Sequence, residues 1–287
     1  MSGQPTIPNR RLAALVGAAA ILSAACGGSG GSPAAAASGS TTPSEATSAA
    51  PDTSSGPPSA SPPASPSRIP FARNPAEIVD STPYTQAIDP ANFVATVDNP
   101  FFPLTPGTTV TYGGDEKIVV TVTSDTKLIV GVAATVVRDK VFVDGALEED
   151  TTDWFAQDRQ GNVWYFGEQT AEYSDGKITS TKGSWTAGVD GAQPGVVMLA
   201  HPQIGDAYRQ EYFKGEAEDM ASVTAVTGKI TVPAGAYSDI LVTEEWTPLE
   251  PDVRERKTYG RGVGLVEIRR IKGGSELIQL DQVKTES

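Results

Sequence analysis

The sequence predicts an all-β domain of about a dozen mostly antiparallel strands, with at most short helices. From residue 100 onward, short runs rich in Val, Ile, Thr and aromatic residues alternate apolar with polar positions. Turn signals such as Asp144-Gly145 and Asp175-Gly176 separate these runs and suit tight hairpins. No window in this part carries a helical apolar stripe. Because so many strands cannot stay flat with open edges, we expect a curled sheet, half-barrel or barrel, with a sandwich as the alternative.

The predicted strands form two series. Each run favours β-branched or aromatic residues and is bounded by Gly, Pro, Asn or Asp. The first series is 108–112, 117–123, 135–143, 151–157, 162–166 and 177–181, and the second is 206–213, 221–227, 239–246, 254–259, 264–271 and 276–283. The leading segment 69–99 is predicted to be irregular, with one helical turn at Pro75 to Ser81 and another at Asn92 to Val97. Gly260 to Gly264 precedes a strand, so it is interpreted as a bulged hairpin and not as a phosphate-binding loop.

The amino-terminal segment is typical of an export signal. Arg10 and Arg11 precede an apolar run that ends at Ala25, and this run is shorter than the ~20 residues needed to span a bilayer. Residues 22–26, LSAAC, resemble the lipobox of bacterial lipoproteins. The resemblance implies that residues 1–25 are a cleaved signal peptide and that Cys26 is lipidated, which would anchor the protein to the outer face of the cell membrane. The arginine pair leaves the general and the twin-arginine export routes both open.

A tether is predicted between the anchor and the folded domain. Gly27 to Ser67 consists almost entirely of Gly, Ser, Pro, Ala and Thr. Such a segment cannot bury enough apolar surface to offset its chain entropy. We therefore divide the chain into a signal peptide at 1–25, a lipidated cysteine and disordered tether at 26–68, and one all-β domain at 69–287.

Charge and residue usage exclude several functions. The chain carries a net charge of −13, and removal of residues 1–25 leaves 20 basic and 35 acidic residues, a net −15. This charge opposes binding to nucleic acid. Cys26 is the only cysteine, so the domain has neither an internal disulfide nor a cysteine nucleophile. His201, the only histidine, cannot supply a catalytic zinc site and is interpreted as a loop residue. No cofactor is predicted.

Two acidic clusters leave metal binding open. One is Glu148-Glu149-Asp150 with Asp153, and the other comprises Glu216, Glu218 and Asp219. Several carboxylates can bind Ca²⁺ or Mg²⁺. Charged residues along solvated strand edges give the same pattern, and neither cluster has the spacing of an EF-hand loop.

An aromatic hairpin at 153–168, DWFAQDRQGNVWYFGE, supplies the candidate ligand-binding residues. Adjacent aromatic side chains on a strand point to opposite faces. Either one of each pair faces a ligand, a partner or solvent, or both faces of the hairpin are packed. An exposed aromatic side chain beside carboxylates would suit a carbohydrate, a quinone-like ring, a cation or an apolar ligand. The candidates are Asp153, Trp154, Trp164, Tyr165, Glu168 and Trp185.

Several motifs together resemble a family of uncharacterised bacterial exported proteins, many of them lipoproteins. They are DNPFFPL at 98–104, PGTT at 106–109, the hairpin at 153–168, GSW at 183–185, VDGAQPG at 189–195 and EWTPLEP at 245–251. The resemblance spans about 95–284 and implies no catalytic residue. The segment 102–112 is also similar to the first strand of curled-sheet lipid carriers such as LolA. That similarity implies a concave sheet that holds an apolar ligand.

These observations favour an extracytoplasmic, membrane-anchored binding module for an apolar or aromatic ligand or for another envelope protein. A different class also fits, a hydrolase of envelope glycan that uses two carboxylates. The acids available for such a pair are Asp153, Asp158, Glu168, Glu172, Glu244 and Glu245. A third hypothesis is a structural scaffold with no small ligand.

Overall fold

Strands dominate residues 84–286, the part of the chain described by this computed structural model. The predicted all-β fold is confirmed. Within these residues the helical element is a 3-10 turn at Pro90–Asn92, which is capped by the Asp89 side chain. No helix between residues 84 and 286 has both the length and the apolar character to cross a membrane. The predicted signal peptide, Cys26, the tether and Pro75 to Ser81 lie outside the described residues.

The described strands are numbered β1 to β18 in chain order. The first nine are β1 Phe93–Val94, β2 Thr108–Gly114, β3 Lys117–Ile129, β4 Val132–Val143, β5 Ala146–Asp158, β6 Val163–Ser174, β7 Lys177–Ser180, β8 Trp185–Thr186 and β9 Gln193–Met198. The others are β10 Ala207–Arg209, β11 Glu211–Tyr212, β12 Met220–Ala225, β13 Ile230–Val232, β14 Gly235–Tyr237, β15 Ile240–Trp246, β16 Arg254–Gly260, β17 Gly264–Lys272 and β18 Leu277–Thr285.

Most strands join one antiparallel sheet that curls into a nearly closed barrel. Its order is β10-β12-β15-β16-β17-β18-β2-β3-β4-β5-β6-β9-β11. The two ends of this order, β10 and β11, are separated in the chain only by Gln210. One segment, 207–212, thus pairs with β12 through its first half and with β9 through its second half. The sequence did not decide between a curled sheet, a half-barrel and a barrel. The structure is a nearly closed barrel, and the segment 207–212 joins the two edges of its sheet.

Gly195 permits the close approach at this closure. A Cβ on Gly195 would lie 2.3 Å from the carbonyl carbon and oxygen of Gln210 and 2.5 Å from the backbone nitrogen of Glu211. Any larger residue would push β9 away from the closing segment. Glycine is required here by backbone contact and not by a left-handed conformation.

Strand pairing separates the inner from the outer face of the barrel. Lys140 pairs with Asp150 across β4 and β5, and their partly exposed side chains form a 3.1 Å ion pair on the outside. Val137 pairs with Asp153, and each lies three residues along its strand from the Lys140–Asp150 pair. Side chains alternate along a strand, so Val137 and Asp153 point into the barrel. The inner apolar residues include Ile118, Val120, Phe155, Ile268, Ile278 and Leu280.

Both faces of the aromatic hairpin are packed. On the outer face, the ring of Phe93 lies 6.2 Å from Trp164 and 5.5 Å from Phe166. The Lys127 ammonium lies 3.1 Å from the centroid of Trp154. Trp154 and Trp164 are consequently only 4% and 6% exposed. The short strand Phe93–Val94 pairs with the end of β5, and this pairing holds the Phe93 ring over the outer face of the hairpin.

The predicted strands agree with the observed ones, with local differences. The bulged hairpin predicted at Gly260 to Gly264 is present, with a register shift at Thr258/Tyr259. The helical turn predicted at Asn92 to Val97 is wrong, because Phe93–Val94 extends to pair with β5. The sequence did not predict the short strands β1, β8, β9, β13 and β14. In β9 a Pro-Gly pair interrupts the apolar pattern.

Candidate ligand-binding cavity

The barrel interior contains a cavity of about 490 Å³. This is within the range of about 300–1,000 Å³ that is usual for small-molecule sites. Most of its lining is apolar. The apolar lining residues include Phe102, Leu104, Val110, Val120, Val122, Val137, Phe155, Val263, Leu265 and Val283.

Three parts of the chain build the cavity. Inward side chains of β2 to β5 line one part of the cavity, and β17 and β18, which continue the sheet beyond β2, line another. The hairpin of β13 and β14 contributes Ala234 and Tyr237. The segment 102–105 is held by a hydrogen bond from the Leu104 amide to the Val97 carbonyl, and Phe102 packs 5.3 Å from Phe155. Half-buried Leu104 and exposed Val283 mark the side of the cavity that reaches solvent.

Carboxylates are the only charged groups of the lining. They are Asp139, Asp153 and Asp281, and no Lys, Arg or His is among the described residues that line the cavity. Asp139 and Asp153 are almost fully buried, whereas Asp281 is exposed. The cavity is thus apolar along its walls and acidic at buried positions on β4 and β5.

Tyr165 links Asp153 to Glu168. Its hydroxyl lies 2.6 Å from Oδ1 of Asp153 and 2.8 Å from Oε2 of Glu168. A phenol has one proton, so it donates to one carboxyl group and must accept from the other. When both contacts are hydrogen bonds, one of the two acids carries a proton.

Burial makes this protonation favourable. Desolvation raises the pKa of Asp153 to about 7, assisted by the negative charge of Glu149 and opposed by the Tyr165 hydrogen bond. Desolvation also raises the pKa of Glu168 well above its usual range, with further contributions from Asp153 and Glu211. The pKa of Tyr165 is raised, chiefly by burial, so this hydroxyl keeps its proton. The cluster can therefore exchange a proton near neutral pH.

A third buried acid extends the cluster. The Trp185 indole donates a 3.0 Å hydrogen bond to Oε2 of Glu211. Burial, followed by the charge of Asp219, raises the pKa of Glu211 well above its usual range. The Oε1 atoms of Glu168 and Glu211 accept no hydrogen bond from the described residues. An ionised carboxylate would be costly in that setting, which agrees with the raised pKa values.

Two nearly buried cations, Lys257 and Arg270, are paired with carboxylates and are not among the residues that line the cavity. On β16, Lys257 forms a 2.9 Å ion pair with Glu245. On β17, Arg270 forms a 3.3 Å ion pair with Glu255. Each of these cations forms an ion pair with a neighbouring glutamate. The charged residues that line the cavity are therefore all acidic.

Five of the six candidate residues are divided between three places. Asp153 lines the interior cavity. Trp154, Glu168 and Trp185 line a separate groove of about 290 Å³, together with Lys127 and Phe213. Tyr165 lies between the two sites.

Trp164 has a structural contact. Its indole donates a 2.9 Å hydrogen bond to Oδ2 of Asp158. The other carboxylate contacts of Asp158 come from the amides of Gln160 and Asn162 and from the Asn162 side chain. The DRQGNVW pattern therefore encodes a turn that is held by one aspartate.

Residue types alone did not point to the cavity wall. Val122, Val137, Asp139 and Leu265 come from strands that the sequence predicted, but nothing in their residue types marks them as ligand-binding. The available signal was strand alternation, which assigns Val137, Asp139 and Asp153 to inward positions once the register of β4 on β5 is known.

The two acidic clusters do not come together as metal sites. Asp150 points outward to Lys140, whereas Glu149 accepts a 3.0 Å hydrogen bond from Thr151. In the second cluster, Glu218 accepts a hydrogen bond from the Gly215 amide and lies 3.9 Å from Arg209. Within residues 84–286, no group of three or more His, Cys, Asp or Glu residues is arranged to hold a metal ion.

Comparison with known proteins identifies two solved structures of low similarity. A protein described as exported with a YmcC-like fold, from Bacteroides fragilis, is 16% identical, with a TM-score of 0.41 over 64% of this chain and 99% of that chain. A protein described as a lipoprotein, from Parabacteroides distasonis, is 13% identical, with a TM-score of 0.36 over 64% of this chain and 98% of that chain. No protein-family model and no curated protein matches the chain.

Proposed function

We propose that this chain is a cell-envelope lipoprotein that binds an apolar ligand inside its barrel without catalysing a reaction. The observation that carries the proposal is the interior cavity of about 490 Å³, which is lined chiefly by Val, Leu and Phe side chains. An apolar molecule that enters it leaves water and gains about 25 cal/mol for each Å² of apolar surface buried. Leu104 and Val283 line the cavity and are partly exposed to solvent, so they place apolar surface at its solvent-accessible side.

The anchoring part of the proposal rests on the amino-terminal sequence and on the family resemblance described above. Cys26 would carry the lipid, and residues 26–68 would separate the barrel from the membrane. Mass spectrometry of the purified protein should find the lipid on Cys26, and Cys26→Ala should appear in the medium. An unmodified cysteine in membrane-associated protein would contradict the anchor.

The binding part can be tested with the neutral apolar fluorophore N-phenyl-1-naphthylamine. We expect saturable binding to the full-length chain, with one probe per barrel. Val122→Phe should weaken it by about tenfold, because the larger ring occupies the cavity. Thr121→Phe, on the outer face of the same strand, is the matched control and should bind as the wild type does. Absence of binding, or equal loss in both variants, would contradict the proposal and favour a structural scaffold.

The geometry favours binding over glycan hydrolysis. Asp153 and Glu168 are close enough for a two-carboxylate mechanism, but the Tyr165 hydroxyl lies between them within hydrogen-bonding distance of both. A glycosidic bond would need that space. Both acids are also almost fully buried, whereas a glycan substrate needs an open cleft.

A further inference from the structure

We propose that the cavity prefers amphiphiles that carry a protonated amine, with the alkyl chain against the apolar walls and the ammonium group at Asp153 and Asp139. This inference rests on the proposed binding function and specifies the chemical class of the ligand. It excludes fatty acids and other anionic amphiphiles as preferred ligands.

The charge of the lining supports this preference. All three charged groups that line the cavity are carboxyl groups. An anionic head group would enter a weakly solvated space beside negative charges and without a cationic partner. An ammonium group would instead exchange its water for charge-assisted hydrogen bonds to carboxylate oxygens.

Asp153 has an oxygen available for such a bond. Its side chain is 4% exposed and lines the cavity. Oδ1 accepts the Tyr165 hydrogen bond, whereas Oδ2 accepts none from the described residues. The position for the head group is therefore a nearly buried carboxyl group with one unsatisfied oxygen.

Asp139 is close enough to share the ammonium group. It pairs with Thr151, two residues before Asp153 on the same strand, so the two aspartates are diagonal neighbours on the inner face. Such neighbours lie about 7–8 Å apart, with their Cβ atoms somewhat closer, and one ammonium group can bridge their carboxyl groups. An ammonium group has three donors, so it can bond to both acids at once.

Proton release accompanies this binding. Asp153 is faced by Asp139 on β4, Glu149 on β5, Tyr165 and Glu168 on β6, and Glu211 on β11. These neighbours are acids and a phenol, which oppose ionisation of Asp153 in the empty barrel. An ammonium ion favours the ionised carboxylate, so its binding displaces a proton. Affinity for the amine should consequently rise with pH through about 7.

The test compares three probes of equal chain length, decylamine, decanol and decanoate, each titrated into the full-length chain below its aggregation concentration. We expect decylamine to bind about tenfold or more tightly than either of the others. Calorimetry in two buffers of different ionisation enthalpy should show proton release for decylamine alone. Asp153→Asn should reduce decylamine affinity to that of decanol and leave decanol unchanged. Asp150→Asn, outward-facing on the same strand, is the matched control.

The outcomes separate this inference from the proposed function. Binding of decanol and N-phenyl-1-naphthylamine without preference for the amine would overturn the inference and leave the binding function standing. Tighter binding of decanoate would overturn it as well. Failure of every probe would overturn both. If Asp153→Asn does not fold, the wild-type ranking of the three probes still decides the matter.

Discussion

The side chain of Asp158 holds the turn between β5 and β6 through four hydrogen bonds. Two come from backbone amides, one from the Asn162 side chain and one from the Trp164 indole. The aspartate is 2% exposed, so these donors would find little water if the carboxylate were removed. The aromatic hairpin therefore depends on this one carboxylate for its local geometry.

Asp158→Ala should lower the free energy of unfolding by roughly 3 kcal/mol, because it leaves several buried donors without an acceptor. Urea denaturation measures this loss. Asp175→Asn, in the exposed turn between β6 and β7, is the control and should change stability by less than about 0.5 kcal/mol. Equal effects of the two substitutions would show that the Asp158 hydrogen bonds contribute little.

Tyr165 provides a second test at the level of single residues. Its hydrogen bond opposes the burial that raises the pKa of Asp153 to about 7. Tyr165→Phe should therefore raise the pKa of Asp153 further. Carboxyl ¹³C chemical shifts measured against pH report this directly, and an unchanged or lowered pKa would contradict the assigned hydrogen bond.

At the scale of the elements, the segment 207–212 joins the two edges of the sheet. Its second half pairs with β9, and its backbone approaches β9 closely at Gly195. Gly195→Ala should destabilise the fold by about 2 kcal/mol, because the new methyl group overlaps the Gln210-Glu211 peptide. The measurement is the urea midpoint.

Gly113→Ala is the matched control for this substitution. A Cβ at Gly113, on β2, meets no atom within 4 Å. The substitution should therefore be close to neutral. If both alanine variants unfold at the same urea concentration, the closure at Gly195 is not tight.

The sequence predicted the strands better than it predicted the site. Hairpins such as the one around Asp144-Gly145 could be predicted because alternation and turn residues are local signals. The pairing of β9 with β11 could not, because β9 was not predicted as a strand and the pairing depends on a close backbone contact at Gly195. Asp153 was predicted as a site residue from its aromatic neighbours. Its partner Asp139 was missed, because only the register of β4 on β5 places them on one inner face.

For the whole molecule, the buried acids predict an unusual dependence of stability on pH. Burial raises the pKa values of Glu116, Asp153 and Asp219 to about 7. In the unfolded chain these groups titrate near pH 4. Between about pH 4 and pH 7 the folded state binds more protons than the unfolded state. Raising the pH over this range therefore lowers the free energy of unfolding.

The free energy of unfolding should therefore fall as the pH rises from about 5 to about 8. Urea denaturation at a series of pH values measures the trend. Asp153→Asn should reduce the slope, because it removes one of the titrating groups. A stability that is constant or rises over this range would show that these carboxyl groups are not kept protonated by the fold.

The most direct test of ligand binding inside the barrel is an NMR measurement on the methyl groups of the complex with decanol. Nuclear Overhauser effects from the decanol chain should reach the methyl groups of Val122, Val137 and Leu265, which line the cavity from three different strands. Contacts confined to the exposed methyl groups of Leu128 and Ile178, or no contacts at saturating decanol, would contradict ligand binding inside the barrel.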